Sequence, residues 1–235
     1  DCGSYASSTT YVTGMAVVKT CETLRKKICE RGAEYLGCSP DDVEFDGEKV
    51  VNLKTKEEIT RKEIGNKVMC SSNAPLSATE AFSSPVSPPP FMVGIAEVEI
   101  DKETGVVEPI DYAAVVDCGT VVNPNLARVQ TEGGIAQGIG MALYEDIIYS
   151  EKGKNYSNSF MQYKIPSRLD VGEIRVEFES SYEPTGPFGA KSIGEIVINT
   201  PSPAISNAVQ NAVGVIVREL PITAEKVYKG MAEKE

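Results

Sequence analysis

Apolar residues recur near helical spacing at Val17, Cys21, Leu24, Ile28 and Tyr35. That period predicts a helix from about Thr13 to Tyr35 with one apolar face, and Gly37 is placed to stop it. Val43-Glu44-Phe45 and Glu48-Lys49-Val50 flank Asp46-Gly47, the pattern of a two-residue hairpin. Thr60 and Glu63 have the spacing of a capping box for a short helix. Residues 91–100 and 106–116 read as two strands joined by the turn Asp101-Lys102-Glu103-Thr104-Gly105. Asn123 followed by Pro124 predicts a capped helix, rich in glycine, that runs to about Tyr144. A further strand is expected over 174–178, a helix over 203–213, and a last short helix over 224–231, with Pro221 between the two helices. The sum is an α+β fold built from hairpins rather than βαβ units. Residues 71–90 are rich in Ser and Pro and end in Pro88-Pro89-Pro90; they read as a long surface excursion within one domain.

Composition narrows the function classes. The 235 residues suffice for one large domain or two small ones. The net charge of -11 disfavours nucleic acid as a partner, because the phosphate interaction would be repulsive overall. The densest basic cluster, Arg25-Lys26-Lys27, falls on one polar turn of the first helix. No stretch approaches the roughly 18 apolar residues of a membrane span. Asp1-Cys2-Gly3-Ser4 has neither the basic flank nor the apolar run of a signal peptide, so a cytoplasmic location is expected. The chain has six cysteines, none in a Cys-x-x-Cys pair, and no histidine. A zinc or iron–sulfur site built within this chain is thereby disfavoured, and a histidine-dependent hydrolase is excluded. Cys21, Cys29 and Cys38 are expected as reduced thiols filling the core.

Three segments place glycines, hydroxyls and one acid where packing alone would not need them. In Phe188-Gly189-Ala190-Lys191-Ser192-Ile193-Gly194-Glu195, small residues permit close approach of a ligand to the backbone. Glu195 is followed by Ile196-Val197-Ile198, so its carboxylate is expected to border a dry environment that suits proton transfer. A glycine-bracketed turn with a solvated Glu fits the same residues. In Gln130-Thr131-Glu132-Gly133-Gly134-Ile135-Ala136-Gln137-Gly138-Ile139-Gly140, four glycines each cost roughly 1 kcal/mol against alanine in a helix. Either close helix packing or the approach of a bulky ligand offsets them. Gln137 among them can both donate to and accept from a heteroaromatic edge. In Ala6-Ser7-Ser8-Thr9-Thr10, hydroxyls and amides stand at the entry to the first helix, which suits either an anion or ordinary capping.

Together these segments resemble the molybdenum-binding region of the xanthine dehydrogenase and aldehyde oxidase family, in order and over nearly the whole chain. Residues 4–17 look like its Ser/Thr-rich cofactor loop and the helix that follows. Asp117-Cys118-Gly119-Thr120-Val121-Val122-Asn123-Pro124 resembles its Asp-x-Gly-x-x-x-Asn-Pro segment. Residues 130–140 look like its Glu-Gly-x-x-Gln-Gly-x-Gly helix. Tyr163-Lys164-Ile165-Pro166 is a further family element, and residues 189–195 resemble its Gly-Ala-Lys-x-x-Gly-Glu motif.

The resemblance implies the C-terminal part of a molybdopterin-binding large subunit, with mixed sheets and packed helices. It implies that Glu195 is the general base in the oxidation of a heterocycle (purine or nicotinate-like) or an aldehyde, with water as the oxygen source. Ala6, Ser7, Ser8, Thr9 and Gln137 fall on the cofactor contacts. The cofactor would be molybdenum-molybdopterin, as the mononucleotide or the cytosine dinucleotide, with no protein ligand to the metal. Lys191 matches the motif lysine and reads as a salt-bridging residue that holds the loop. Iron–sulfur clusters and FAD would reside on partner domains or chains. An N-terminal portion of the molybdenum subunit would complete the pocket, so the chain is expected to be a truncated piece or one part of a split subunit, inactive alone. Two other readings stay open: a non-catalytic assembly or subunit-contact role in the same lineage, and an unrelated anion-binding module.

Overall fold

The computed structural model describes residues 3–71 and 75–233. Cys2 and residues 72–74 of the Ser/Pro-rich segment lie outside the described residues. The chain forms two compact units. One comprises Val12–Pro85, and the other joins residues 3–11 to residues 86–233. The division falls inside the segment read above as a surface excursion.

The first unit is built on helix α1 (Gly14–Leu36), which ends where Gly37 adopts a left-handed conformation. Three short antiparallel strands follow: β1 (Val43–Phe45), β2 (Lys49–Asn52) and β3 (Glu58–Thr60). The β1–β2 turn is one residue longer than the expected hairpin. The Asp46 carboxylate accepts from the amides of Glu48 and Lys49 and closes the turn itself. Helix α2 (Arg61–Met69) starts at the expected capping box, Thr60 with Glu63. Ile28, Val50, Ile59, Ile64 and Val68 form the core, with Leu24 and Tyr35 packed against it. The apolar face of α1 is therefore used only from Leu24 onward. Val17 and Cys21 are exposed, and Cys29 and Cys38 are only half-buried, which corrects their reading as core fillers. The small sheet is too short to cover the first turns of a 23-residue helix. The Ser/Pro-rich segment runs beside that helix instead. Lys27 Nζ donates to the Ser77 carbonyl at 2.7 Å, and Thr23 donates to Glu80 at 2.8 Å.

The second unit has a three-stranded sheet in the order β4 (Phe91–Ile100), β5 (Val107–Asp117), β6 (Glu173–Glu179). Strands β4 and β5 pair antiparallel from Phe91↔Asp117 to Ile100↔Val107. Strands β5 and β6 pair parallel, from Asp111↔Glu173 to Asp117↔Glu179. That pairing overturns the expectation of hairpins alone. A parallel pair needs a crossover of a dozen or more residues, and helix α3 (Pro124–Leu143) lies within the connection. The α+β class stands, with a mixed sheet. Asn123 caps α3 by accepting from the Leu126 amide at 3.1 Å, with Pro124 at its first position. Helices α4 (Pro201–Val213) and α5 (Ala224–Ala232) complete the layer.

One face of the sheet and the helices share a core of Tyr112, Ala114, Ile135, Ile139, Val176, Ile205, Val209 and Val227. The alternation along β4 places Met92, Ala96 and Val98 on that side, and Phe91, Val93 and Ile95 on the open side. Truncating Ile139, which is fully buried, to Ala should cost about 2–5 kcal/mol. Val93→Ala on the open face should cost less than about 1 kcal/mol. Urea unfolding with unchanged slope checks both values, and equal losses would contradict this placement of the core.

Candidate functional site

Strand β5 ends at Asp117, and the chain turns at Gly119, whose φ is 72°. The turn brings residues 118–120 against residues 189–191. The Thr120 amide donates to the Gly189 carbonyl at 2.9 Å, and the Lys191 amide donates to the Cys118 carbonyl at 2.9 Å. A Cβ on Gly119 would stand 2.3 Å from the Gly189 carbonyl oxygen, so this approach requires glycine. The Gly189 carbonyl also accepts from the Glu183 amide at 3.0 Å, which ties both arms of the 183–191 loop to one oxygen.

Side chains reinforce the pairing. Lys191 Nζ lies 2.8 Å from Asp117 Oδ2, with the lysine side chain 8% and the aspartate side chain 20% exposed. Asp117 Oδ1 accepts from Ser181 Oγ at 2.6 Å and from the Gly119 amide at 2.9 Å. Partial burial works against ionising Asp117. The hydrogen bonds from Lys191, Ser181 and Gly119 outweigh it and hold the carboxyl below its ordinary value. Lys191 is thus the salt-bridging residue that the sequence suggested. Burial, together with the neighbouring Asp117 charge, pushes the Cys118 thiol up and away from reactivity.

The Ser/Thr loop meets the far end of the same segment. Ala6 and Ser7 both have left-handed backbones, at φ 47° and 55°, an uncommon conformation for residues other than glycine. The bend brings Ser7 Oγ to within 3.2 Å of the amides of both Ile193 and Gly194, from which it accepts. From the other side, Gln130 Nε2 on α3 donates to the Gly194 carbonyl at 3.1 Å. The peptide groups on both sides of Gly194 are therefore held, one by the loop and one by the helix. The buried Tyr11 hydroxyl bonds to Thr185 and anchors the loop's end.

Glu195 follows directly and borders two cavities. The larger, of about 600 Å³, is lined by Ala6, Ser7, Thr9, Thr120, Gln130 and Glu195 among others. The smaller, of about 340 Å³, is lined by Val129, Gln130, Gly133, Gly134, Gln137, Gly194, Glu195 and Ile198. Of the residues singled out in the sequence, Ala6, Ser7, Thr9 and Glu195 meet on one cavity, and Gln137 meets Glu195 on the other. Ser8 does neither. Its hydroxyl donates to the Gly3 carbonyl at 2.7 Å and closes the loop. The expected dry surroundings of Glu195 are absent among the described residues, because the carboxylate stands at the exposed rim of both cavities. The apolar Val197 that follows it is turned inward onto α3.

The glycines of α3 divide by role. A Cβ on Gly134 would lie 2.2 Å from a Val197 methyl, and one on Gly138 would lie 2.6 Å from the Pro201 ring. These two serve packing. Gly133 meets nothing within 4 Å and opens onto the smaller cavity. Gln130 escaped the sequence reading as a site residue. The available signal was the helical period, since 130, 133, 134 and 137 lie on one face. Among the described residues no cluster of three His, Cys, Asp or Glu side chains converges. The donor set is instead hydroxyls, amides and one carboxylate around an open glycine. Such a set fits a flat, polar-edged organic group better than direct metal ligation.

A family model of the molybdopterin cofactor-binding domain matches residues 1–172. The probable hypoxanthine oxidase XdhD of Escherichia coli is 36% identical, over 98% of this chain and 24% of its own length. The 6-hydroxypseudooxynicotine dehydrogenase complex subunit gamma of Paenarthrobacter nicotinovorans is 31% identical, over 96% of this chain and 30% of its own length. The crystal structure of quinoline 2-oxidoreductase from Pseudomonas putida 86 superposes with a TM-score of 0.85 at 27% identity, covering 98% of this chain and 31% of that one. The chain thus spans about a quarter to a third of the length of the relatives it matches.

Because Asp117 is held below its ordinary value, its contribution to stability is complete above the unfolded carboxylate range, near pH 4, and is lost as the pH falls through the lower folded value. Asp117→Asn should therefore lose about 2–4 kcal/mol at pH 7. The gap to the parent protein should narrow once the pH drops below about 4. Urea unfolding across that range reads the difference, and a gap independent of pH would rule out an ionised Asp117 as its source.

Proposed function

The chain belongs to the molybdopterin cofactor-binding domain family, and on that premise we propose that it forms one wall of a molybdenum hydroxylase active site in which Glu195 is the general base. The observation that carries the proposal is the double hold on Gly194, by Ser7 from one side and Gln130 from the other. It presents the next residue, an ionisable carboxylate, where two ligand-sized cavities meet.

The residues on the cavities suit a pterin. Ala6, Ser7 and Thr9 offer hydroxyls and left-handed backbone on the larger cavity, and Gln137 offers an amide beside the open Gly133 on the smaller. Ser8 contributes by closing the loop rather than by lining the cavity. When bound, the molybdenum–pterin group supplies the redox and Lewis-acid chemistry. The protein's part is positioning and proton transfer. Glu195 takes a proton from water-derived oxygen within hydrogen-bond reach, about 2.6–3.2 Å, and its fixed backbone limits the search for that geometry. The exclusion of water from Glu195 comes from the part of the subunit that the longer relatives carry outside the matched region. Iron–sulfur and flavin groups on partner domains or chains accept the electrons. The substrates named in the relatives, hypoxanthine and quinoline among them, favour a nitrogen heterocycle, oxidised at an electron-poor carbon with water as the oxygen source.

Replacing Glu195 by Gln in the complete enzyme keeps size and hydrogen bonding but removes the base. Turnover should fall by about 10²–10⁴-fold, with molybdenum and pterin content unchanged. Near-parental turnover at full metal occupancy would sink the assignment.

A further inference from the structure

We infer that Asp117 is a positioning residue for Glu195, acting through Lys191, and that the lysine is not a ligand-binding cation although it lines the larger cavity.

Lys191 carries the motif's one positive charge, and a cation on a cavity wall invites assignment to an anionic ligand. The geometry assigns it otherwise. Its ammonium is 2.8 Å from Asp117 Oδ2 and 5.1 Å from the centre of the Phe91 ring, with 8% of the side chain exposed. The charge is neutralised and covered on the protein side. Asp117 is committed as fully: one oxygen takes Lys191, and the other takes Ser181 and the Gly119 amide. Strand β5 pairs on both sides, and both ladders run to its last residue, Asp117.

From this anchor the path to Glu195 is short. The Lys191 amide is hydrogen-bonded to Cys118, so side chain and backbone of one residue are both fixed to the end of β5. Three residues on, Ser7 and Gln130 take over at Gly194. Residues 192–194 have no regular secondary structure, and only Ser192 separates the two holds, since Ser7 already takes the Ile193 amide. Releasing the first leaves the segment before Glu195 held by Ser7 and Gln130 alone, without the anchor at the end of β5. A displacement on the order of 1 Å is enough to lower turnover about a hundredfold.

The inference rests on the base reading of Glu195 only for its effect on turnover; its effect on the loop is independent. The test compares Asp117→Asn, Lys191→Met and Lys191→Arg in the complete molybdenum enzyme, by hydrogen–deuterium exchange over residues 188–195, molybdenum content, kcat and KM. Asp117→Asn and Lys191→Met should speed exchange in that stretch by about 10–100-fold. They should retain molybdenum and lower kcat by about 10–100-fold at unchanged KM. Lys191→Arg, which keeps the ion pair, should restore slow exchange. Parental exchange rates in Lys191→Met would overturn the inference. So would loss of molybdenum at parental exchange, which would return Lys191 to the ligand. Ser181→Ala removes only one of the three bonds to Asp117 and carries the same test if Asp117→Asn does not fold. Failure of Glu195→Gln to lower turnover would strike the base reading and leave the exchange result standing.

Discussion

Residues 180–195 form no regular strand or α-helix, so the polar groups of that backbone must find partners elsewhere or stand in solvent. Some partners lie within the segment, as in the Glu183 amide to the Gly189 carbonyl; others come from three neighbours: the turn after β5, the Ser/Thr loop, and the glycine face of α3. Two of these are bends at the ends of elements, and the third is the side of helix α3. The whole site depends on that exchange of hydrogen bonds. The loop gains a defined path, and the elements around it gain a common point of contact just before Glu195. Gly189 concentrates the effect, since its carbonyl takes the amides of both Thr120 and Glu183. An added Cβ there would fall 2.4 Å from the Tyr182 ring. Close backbone approach of this kind leaves little freedom for the segment that it fixes.

The same economy of space appears in α3. Glycine in a helix interior is unfavourable unless something approaches closely. At Gly134 and Gly138 that something is Val197 and Pro201, the residues that follow Glu195 and open α4. The packing that seats α4 on α3 also seats the turn carrying Glu195. The core of Ile135, Ile139, Ile205 and Val209 therefore bears on the position of the carboxylate, although none of these side chains lines a cavity. Gly133, one residue before the packed glycine, faces the other way and leaves room for a ligand.

Most of the fold was readable because its signals are local. The capping box at Thr60, the cap at Asn123 and the stop at Gly37 each depend on a few neighbouring residues, and each stands where the sequence put it. The parallel partnership of β5 and β6 was not readable. Strand direction depends on where a 20-residue helix returns the chain, and nothing in Glu173–Glu179 itself encodes that. Cys21 was misread for a related reason: helical spacing marks a possible apolar face, and only the extent of the sheet beneath decides how much of it is covered. At the site, the glycines and Glu195 stood out by composition, whereas the role expected of Glu195 came from the family resemblance. Gln130 did not, because a glutamine on an exposed helix face is ordinary until a carbonyl from 64 residues away is found beside it.

The same geometry leaves the Glu195 side chain open while its backbone is fixed. On the N-terminal side of Glu195 the backbone is held by hydrogen bonds through Gly194, Ile193 and Lys191. On its C-terminal side, Ile196–Ile198 fold into a short 3-10 turn whose Val197 is buried. The peptide is thus fixed in front and behind while the side chain is left at the rim of two cavities. A carboxylate that must exchange a proton needs its backbone still and its oxygen atoms accessible until a substrate arrives. For the role proposed for Glu195, a second surface closing over the carboxylate would meet both needs. In the proposed reading, this wall would set the position of the carboxylate, and a closing surface would supply its desolvation. The exposed Val122, Leu126 and Val129, on α3 and the turn before it, give these cavities an apolar rim beside the carboxylate.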